Sequence, residues 1–139
     1  MTTFSQNFLT QLSTDKQVCL WVKERLLAQM SKSINSEDGC MYKSDTGLKC
    51  AVGHLIDPVH YNPRIEGSAI YEEYVQEAVE KSVPYWNINE DLLNKLQMIH
   101  DAREPYFWED EFNLLQFDEN DHFVNHRKKL DEQEEYATL

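Results

Sequence analysis

Three groups of residues in this chain have the types and spacing to do chemistry. Cys40, Cys50, His54 and His60 are the ligand types of a Cys2His2 zinc site, and three residues separate Cys50 from His54. The spacing is not that of a zinc knuckle, and cysteines so placed also pack as small apolar groups. We therefore expect reduced, metal-free thiols at Cys40 and Cys50 and no cofactor. Asp118, His122 and His126 recur every four residues, which on a helix would turn three metal ligands to one face. No glutamate stands beside His122 to act as a base, so the metalloprotease motif is missing and surface histidines are expected. His100 and Asp101 with Glu104 could form an acid/base cluster, since His100 and Glu104 share a helix face. His100 also continues the apolar register of Leu93, Leu96 and Ile99, which favours a buried histidine held by hydrogen bonds.

The nucleophile and phosphate motifs are missing. None of the serines lies in a Gly-x-Ser-x-Gly elbow, the three cysteines have no recognisable flanking signature, and the glycines at 39, 47, 53 and 67 are too far apart for a phosphate-cradling loop. No catalytic residue is assigned on these grounds. A metal-assisted hydrolase or nucleic-acid-modifying enzyme built on a His/Cys cluster is the alternative to a binding role.

The elements that must position these residues read as mainly helical. The 139 residues fit a single domain spanning 1–139, and a hydrophobic fraction of 41% argues for a packed core despite a mean hydropathy of -0.65. Phe4, Phe8, Leu9 and Leu12 fall at helical spacing. A capped second helix carries Val18, Trp21, Val22, Leu26 and Met30. Residues 39–67 hold all four glycines and two of the four prolines, a concentration that specifies an unusual local backbone. Within it, 41–43 and 48–52 flank the turn Ser44-Asp-Thr-Gly47, which predicts a short β-hairpin inserted after the N-terminal helices. Further helices are expected after a Ser68 cap, after an Asn89 cap, from Pro105 through Trp108 and Phe112, and from Asp118 or Asn120 through Leu130. The 131–135 end is expected to fray. The fold class is thus mainly α with a minor β component. No apolar run is long enough to span a bilayer, and the first residues do not read as a secretory signal, so a cytoplasmic protein is expected.

Charge is distributed unevenly. Residues 1–70 carry seven acids and seven bases, so the whole formal charge of -12 falls on residues 71–139. That half sets eighteen acids against six bases, which argues against direct nucleic-acid binding through it, and its natural complement is a basic partner. Glu109, Asp110, Glu111, Asp118, Glu119 and Asp121 are expected to form one negative region across the last two helices. Tyr85 and Trp86, in a proline loop, and whichever of Tyr106 and Phe107 faces outward, are the aromatic residues best placed to act as exposed interface anchors, the alternative being that the loop aromatics fold back as a lid on the core.

Gly47-Leu-Lys-Cys-Ala-Val-Gly-His-Leu-Ile56, with Tyr61-Asn-Pro63 and Glu66-Gly67, resembles a stretch found in uncharacterised small proteins of tailed bacteriophages and prophages. Leu96-Gln-Met-Ile-His-Asp101 followed by Trp108 is similar to a downstream pattern in the same proteins. The resemblance implies a phage accessory protein acting in a bacterial cytoplasm, of a kind that binds and redirects host proteins. Together with the charge distribution, it leads to the expectation of a protein that modulates or inhibits a basic host protein through an acidic surface, with nucleic-acid mimicry as one version. Its oligomeric state stays open, a homodimer included.

Overall fold

The computed structural model describes residues 8–37 and 39–125 and is mainly helical. Helix α1 (Asp15–Gln29) starts at a capping box: Gln17 N–H donates to Thr14 Oγ1 at 3.1 Å, and Thr14 N–H donates back to Gln17 Oε1 at 3.3 Å. Its Val18, Cys19, Trp21, Val22 and Leu26 are buried, and it ends at Met30 in the left-handed conformation. Helix α2 (Glu73–Ser82) buries Val75, Ala78 and Val79. Helix α3 (Glu90–Ala102) is capped as expected by Asn89, whose side chain accepts from Leu92 N–H, and buries Leu92, Leu93, Leu96 and Ile99. Pro105–Phe107 form one 3-10 turn leading into α4 (Trp108–Asn113), which buries Trp108 and Phe112 against α1 and α3. Among the described residues no helix is long and apolar enough to cross a membrane.

Several expected elements are absent or shortened. The first N-terminal helix reduces to a single 3-10 turn, Leu9–Gln11, while Phe4 lies outside the described residues. Ser68 caps nothing, because α2 begins only at Glu73. The β-hairpin is not formed: Lys43 and Lys49 make one isolated antiparallel bridge around the Ser44–Gly47 turn. The groups that would extend the ladder bond to side chains instead. Tyr42 and Lys43 N–H donate to the Glu66 carboxylate at 2.9 and 3.0 Å, and the Lys49 N–H and C=O are both taken by the Gln29 amide. Satisfying the backbone through side chains removes the need for a sheet.

The helix expected from Asp118 also gives way, within the described residues, to a tight loop. Phe117 and Phe123 form an antiparallel bridge with their rings 6.2 Å apart, and Asp118 Oδ1 accepts from Asn120 and His122 N–H at 2.8 and 3.0 Å. An aspartate that bonds the backbone two and four residues ahead stabilises a turn in competition with a helix. Residues 126–135 of the two C-terminal expectations, His126 and Leu130 among them, lie outside the described residues.

The 39–67 segment packs as part of the core rather than over it, with Tyr42, Cys50, Ala51, Val52, Leu55, Ile56 and Ile65 all buried. Gly53 makes this possible, since a Cβ there would land on the Tyr42 carbonyl. Gly47 turns with φ +87 and has open space around its missing side chain. A buried carboxylate closes the fold from the other end. Asp15 accepts from Trp86 Nε1 at 2.8 Å, Asn89 Nδ2 at 2.9 Å and Phe123 N–H at 2.8 Å.

Two stability predictions come from these contacts. Gly53→Ala should destabilise by on the order of 2 kcal/mol or more, because backbone must move, and Gly47→Val by about 1 kcal/mol, because only its φ is strained. Urea unfolding checks the order, and a Gly53→Ala protein as stable as the parent would contradict the packing. Asp15→Ala strands three donors and should cost on the order of 3 kcal/mol or more by the same measurement.

Candidate functional site

The structure assembles neither expected group whole but joins one member of the zinc-type set, Cys40, to two of the acid/base set, His100 and Asp101. Among the described residues, Cys40, His100 and Asp101 are the one group of three or more His, Cys, Asp or Glu whose ligand atoms all lie within 4.8 Å of one another. They line a cavity of about 550 Å³ with Lys32, Ile34 and Glu104. His100 is fully buried from α3, its ring stacked 5.6 Å from Trp108, while Cys40 and Asp101 are exposed. Gln97, one turn before Asp101, donates to both Cys40 Sγ at 2.9 Å and Asp101 Oδ1 at 3.1 Å.

Hydrogen bonding decides what this cluster can do. Ser33 N–H donates to His100 Nε2 at 2.9 Å, so Nε2 must carry a lone pair, and the ring proton sits on Nδ1, which donates to Asp101 Oδ1 at 2.7 Å. A metal on Nδ1 would move that proton to Nε2, head-on against the Ser33 N–H. A thiol proton cannot be passed to Nε2 either, because that lone pair is in use. Burial opposes charging the ring, and the Asp101 and Cys40 contacts outweigh it to raise its pKa; Ser33 limits that tendency by occupying Nε2. The neighbouring Cys50 thiol pushes the Cys40 thiol above its ordinary value, against the lowering contact with His100. A protonated thiol beside a histidine with both nitrogens engaged is poorly disposed to nucleophilic attack or metal ligation. His100 joins α3 to the 31–41 segment, as the apolar register of its neighbours had suggested.

The other zinc-type residues go elsewhere. Cys50 is buried and its sulfur accepts from Gly53 N–H at 3.4 Å. His54 Nε2 bonds Gln29 Oε1 at 3.1 Å, and because that oxygen can only accept, Nε2 carries the proton. His60 closes the Pro58–His60 turn and lines a separate cavity with Tyr74 and Lys81. His122 is exposed, with Nδ1 3.5 Å from Asp118 Oδ2 across the tight loop rather than along a helix.

The acidic residues divide into free and committed groups. Glu109, Asp110 and Glu119 are exposed with no ion pair among the described residues. Glu111 is half-buried and lies 3.5 Å from Arg103 Nε. Asp118 is exposed but holds its loop, and its backbone bonds from His122, ahead of a weak opposing desolvation, keep its carboxyl below the usual range. Asp121 takes φ +64, and its carbonyl accepts from Lys16 N–H at 3.2 Å. From Trp108 to Asn125 the chain has six carboxylates and no Lys or Arg. Beside them, Met98, Leu114, Leu115, Phe123 and Val124 wall a cavity of about 350 Å³ between α3 and the 114–125 segment.

Of the two proline-loop aromatics, Tyr85 is 75% exposed, as an anchor would be, whereas Trp86 is 5% exposed and folds back into the core. Its indole N–H is committed to Asp15, which draws the ring inward. Tyr106, 70% exposed, packs on Phe107 with ring centroids 4.4 Å apart. Sequence reasoning missed Asp15, Ser33, Gln29, Gln97 and Glu66, the polar residues that fix the site's neighbourhood. Only Asp15 had a local signal, its place at the start of a capped helix, and that signal concerned the cap rather than contacts 71 to 108 residues away. No protein-family profile, curated protein or solved structure matches the chain.

His54 supplies a pH test of this neighbourhood. Burial, with Lys49, Arg25 and His100 nearby, lowers its pKa from 6.5 to about 4. The unfolded chain therefore takes up the proton first, so the stability His54 contributes is present above pH 6.5 and is lost as pH falls toward 4. The loss should reach up to about 3 kcal/mol. Urea unfolding at several pH values should show a steeper acid loss in the parent than in His54→Gln, and equal slopes would contradict it.

Proposed function

We propose that the chain is a non-enzymatic phage accessory protein that binds a basic host protein through its acidic surface and modulates or inhibits it, nucleic-acid mimicry being one form this could take. The observation that carries the reading is the stretch from Trp108 to Asn125, whose sequence has six carboxylates and no Lys or Arg, and in which Glu109, Asp110 and Glu119 are exposed with no ion pair among the described residues. A field of one sign accelerates encounter with a surface of the other and discourages wrong partners. The phage context rests on the resemblance carried by residues 47–67 and 96–108. In this reading the partner is a protein of the bacterial host cytoplasm, no nucleic acid is contacted directly, and Tyr85 adds an exposed aromatic contact. Trp86, being buried, takes no part.

The alternative, a metal-assisted hydrolase or nucleic-acid-modifying enzyme, draws its support from the Cys40, His100 and Asp101 cluster and its cavity. Against it stand the Ser33 N–H on Nε2 and the raised Cys40 pKa.

The test begins with capture of partners from bacterial lysate, followed by kinetics with the retained protein. The combined Glu109→Lys, Asp110→Lys and Glu119→Lys variant avoids Asp118 and Asp121, on which the loop depends. It should associate about tenfold more slowly at low salt. The difference should shrink at high salt, as screening shortens to roughly 3 Å at 1 M. Circular dichroism should report an intact fold. Association that ignores both the reversals and salt would remove the acidic-surface reading.

A further inference from the structure

The apolar cavity between α3 and the 114–125 segment stands within the acidic stretch rather than apart from it. Its wall includes Leu114, 70% exposed, and Met98, 51% exposed, two large apolar side chains left in water on adjacent elements. Phe123, half-buried and packed on Phe117, forms the other side. Asp91, Asn94, Lys95, Glu111, Gln116 and Asn125 complete the lining. Glu109 and Asp110 precede it on α4, and Asp118 and Glu119 follow in the loop that Phe117 and Phe123 close. An apolar centre with a charged rim is the arrangement in which the centre supplies lasting affinity and the rim supplies orientation and rate.

We infer that this groove is the anchor point of the acidic surface, and that it takes an apolar side chain of a partner segment flanked by lysine and arginine. The inference rests on the acidic-surface reading and adds to it the chemistry of the bound segment. The rim selects the occupant. The exposed Glu109, Asp110 and Glu119 beside the groove favour a basic flank and repel a polyanion. The cavity, about 350 Å³, has room for a leucine- or phenylalanine-sized group.

The probe is a short synthetic peptide with leucines spaced between lysine and arginine pairs, its control the same peptide with alanine at those positions. Binding to the full chain is read by fluorescence anisotropy and by NMR of the Met98 and Leu114 methyl groups. The leucine peptide should bind about tenfold or more tightly than the alanine peptide, since burying one such side chain is worth roughly 1.5–3 kcal/mol, and should shift both methyl signals. Leu114→Ser, an exposed substitution that leaves the core alone, should remove most of that advantage, while the Glu109, Asp110 and Glu119 reversals should weaken both peptides. Equal binding of the two peptides, lost on charge reversal, would overturn the groove and leave the acidic surface standing. Leucine-peptide binding unaffected by charge reversal would overturn both. No binding of either peptide, or binding without methyl shifts, would overturn the groove. So would peptide-free methyl signals that depend on protein concentration, the mark of a second copy, or that move on Leu130→Ser, the mark of the chain's own residues 126–139.

Discussion

The fold depends on one carboxylate. Asp15, at the first turn of α1, accepts hydrogen bonds from the Trp86 indole, the Asn89 amide and the Phe123 backbone, three groups that enter from the α2–α3 connection, the α3 cap and the loop after α4. A buried acid without such donors would be strongly unfavourable, so the three segments and α1 are mutually required. The same contact sets the chemistry of the surface. It holds Trp86 in the core, away from partners, and fixes the Phe117–Phe123 loop that carries Asp118 and Glu119.

The central 39–67 segment is ordered by a second set of polar side chains. Glu66 accepts from Tyr42 and Lys43 N–H and from the Tyr61 hydroxyl at 2.7 Å, Gln29 satisfies Lys49 and His54, and Gln97 accepts from Val52 N–H at 3.1 Å. Among the described residues no buried side-chain nitrogen or oxygen lacks a hydrogen-bond partner. This completeness bears on function. A histidine with both nitrogens bonded, as at His100, is an organiser of backbone, whereas a general base or ligand needs a lone pair facing a substrate. Residues with the outward signature of catalysis can thus be spent on holding an irregular segment together.

The stretch after Trp108 carries charge that the scaffold does not use. Charge that makes no internal ion pair, as at Glu109, Asp110 and Glu119, contributes little to folding and is free to act at a distance. The apolar side chains beside it, Leu114 and Met98, give that field something to hold onto. In this division of labour, the first two thirds of the molecule build the scaffold and the last described stretch presents the surface proposed to bind.

Local chemistry determined α1 and α3 from the sequence alone, because a capping residue and an apolar face at helical spacing act over a few residues wherever the chain goes. The charge split at residue 70, the turn at Ser44–Gly47 and the unusual backbone of 39–67 were legible for the same reason: they follow from residue type. Tertiary structure decided the rest. Residues 41–52 have hairpin patterning, yet Glu66 and Gln29, distant in sequence, offered their backbone better partners than a strand would. Asp118 could have capped a helix, but it closed a loop that Asp15 holds from 108 residues away, measured at Phe123. Trp86 read as a surface aromatic because nothing near it in sequence announces the carboxylate that buries it. Hydrogen-bond partners far apart along the chain leave no periodicity to read, and only packing brings them together.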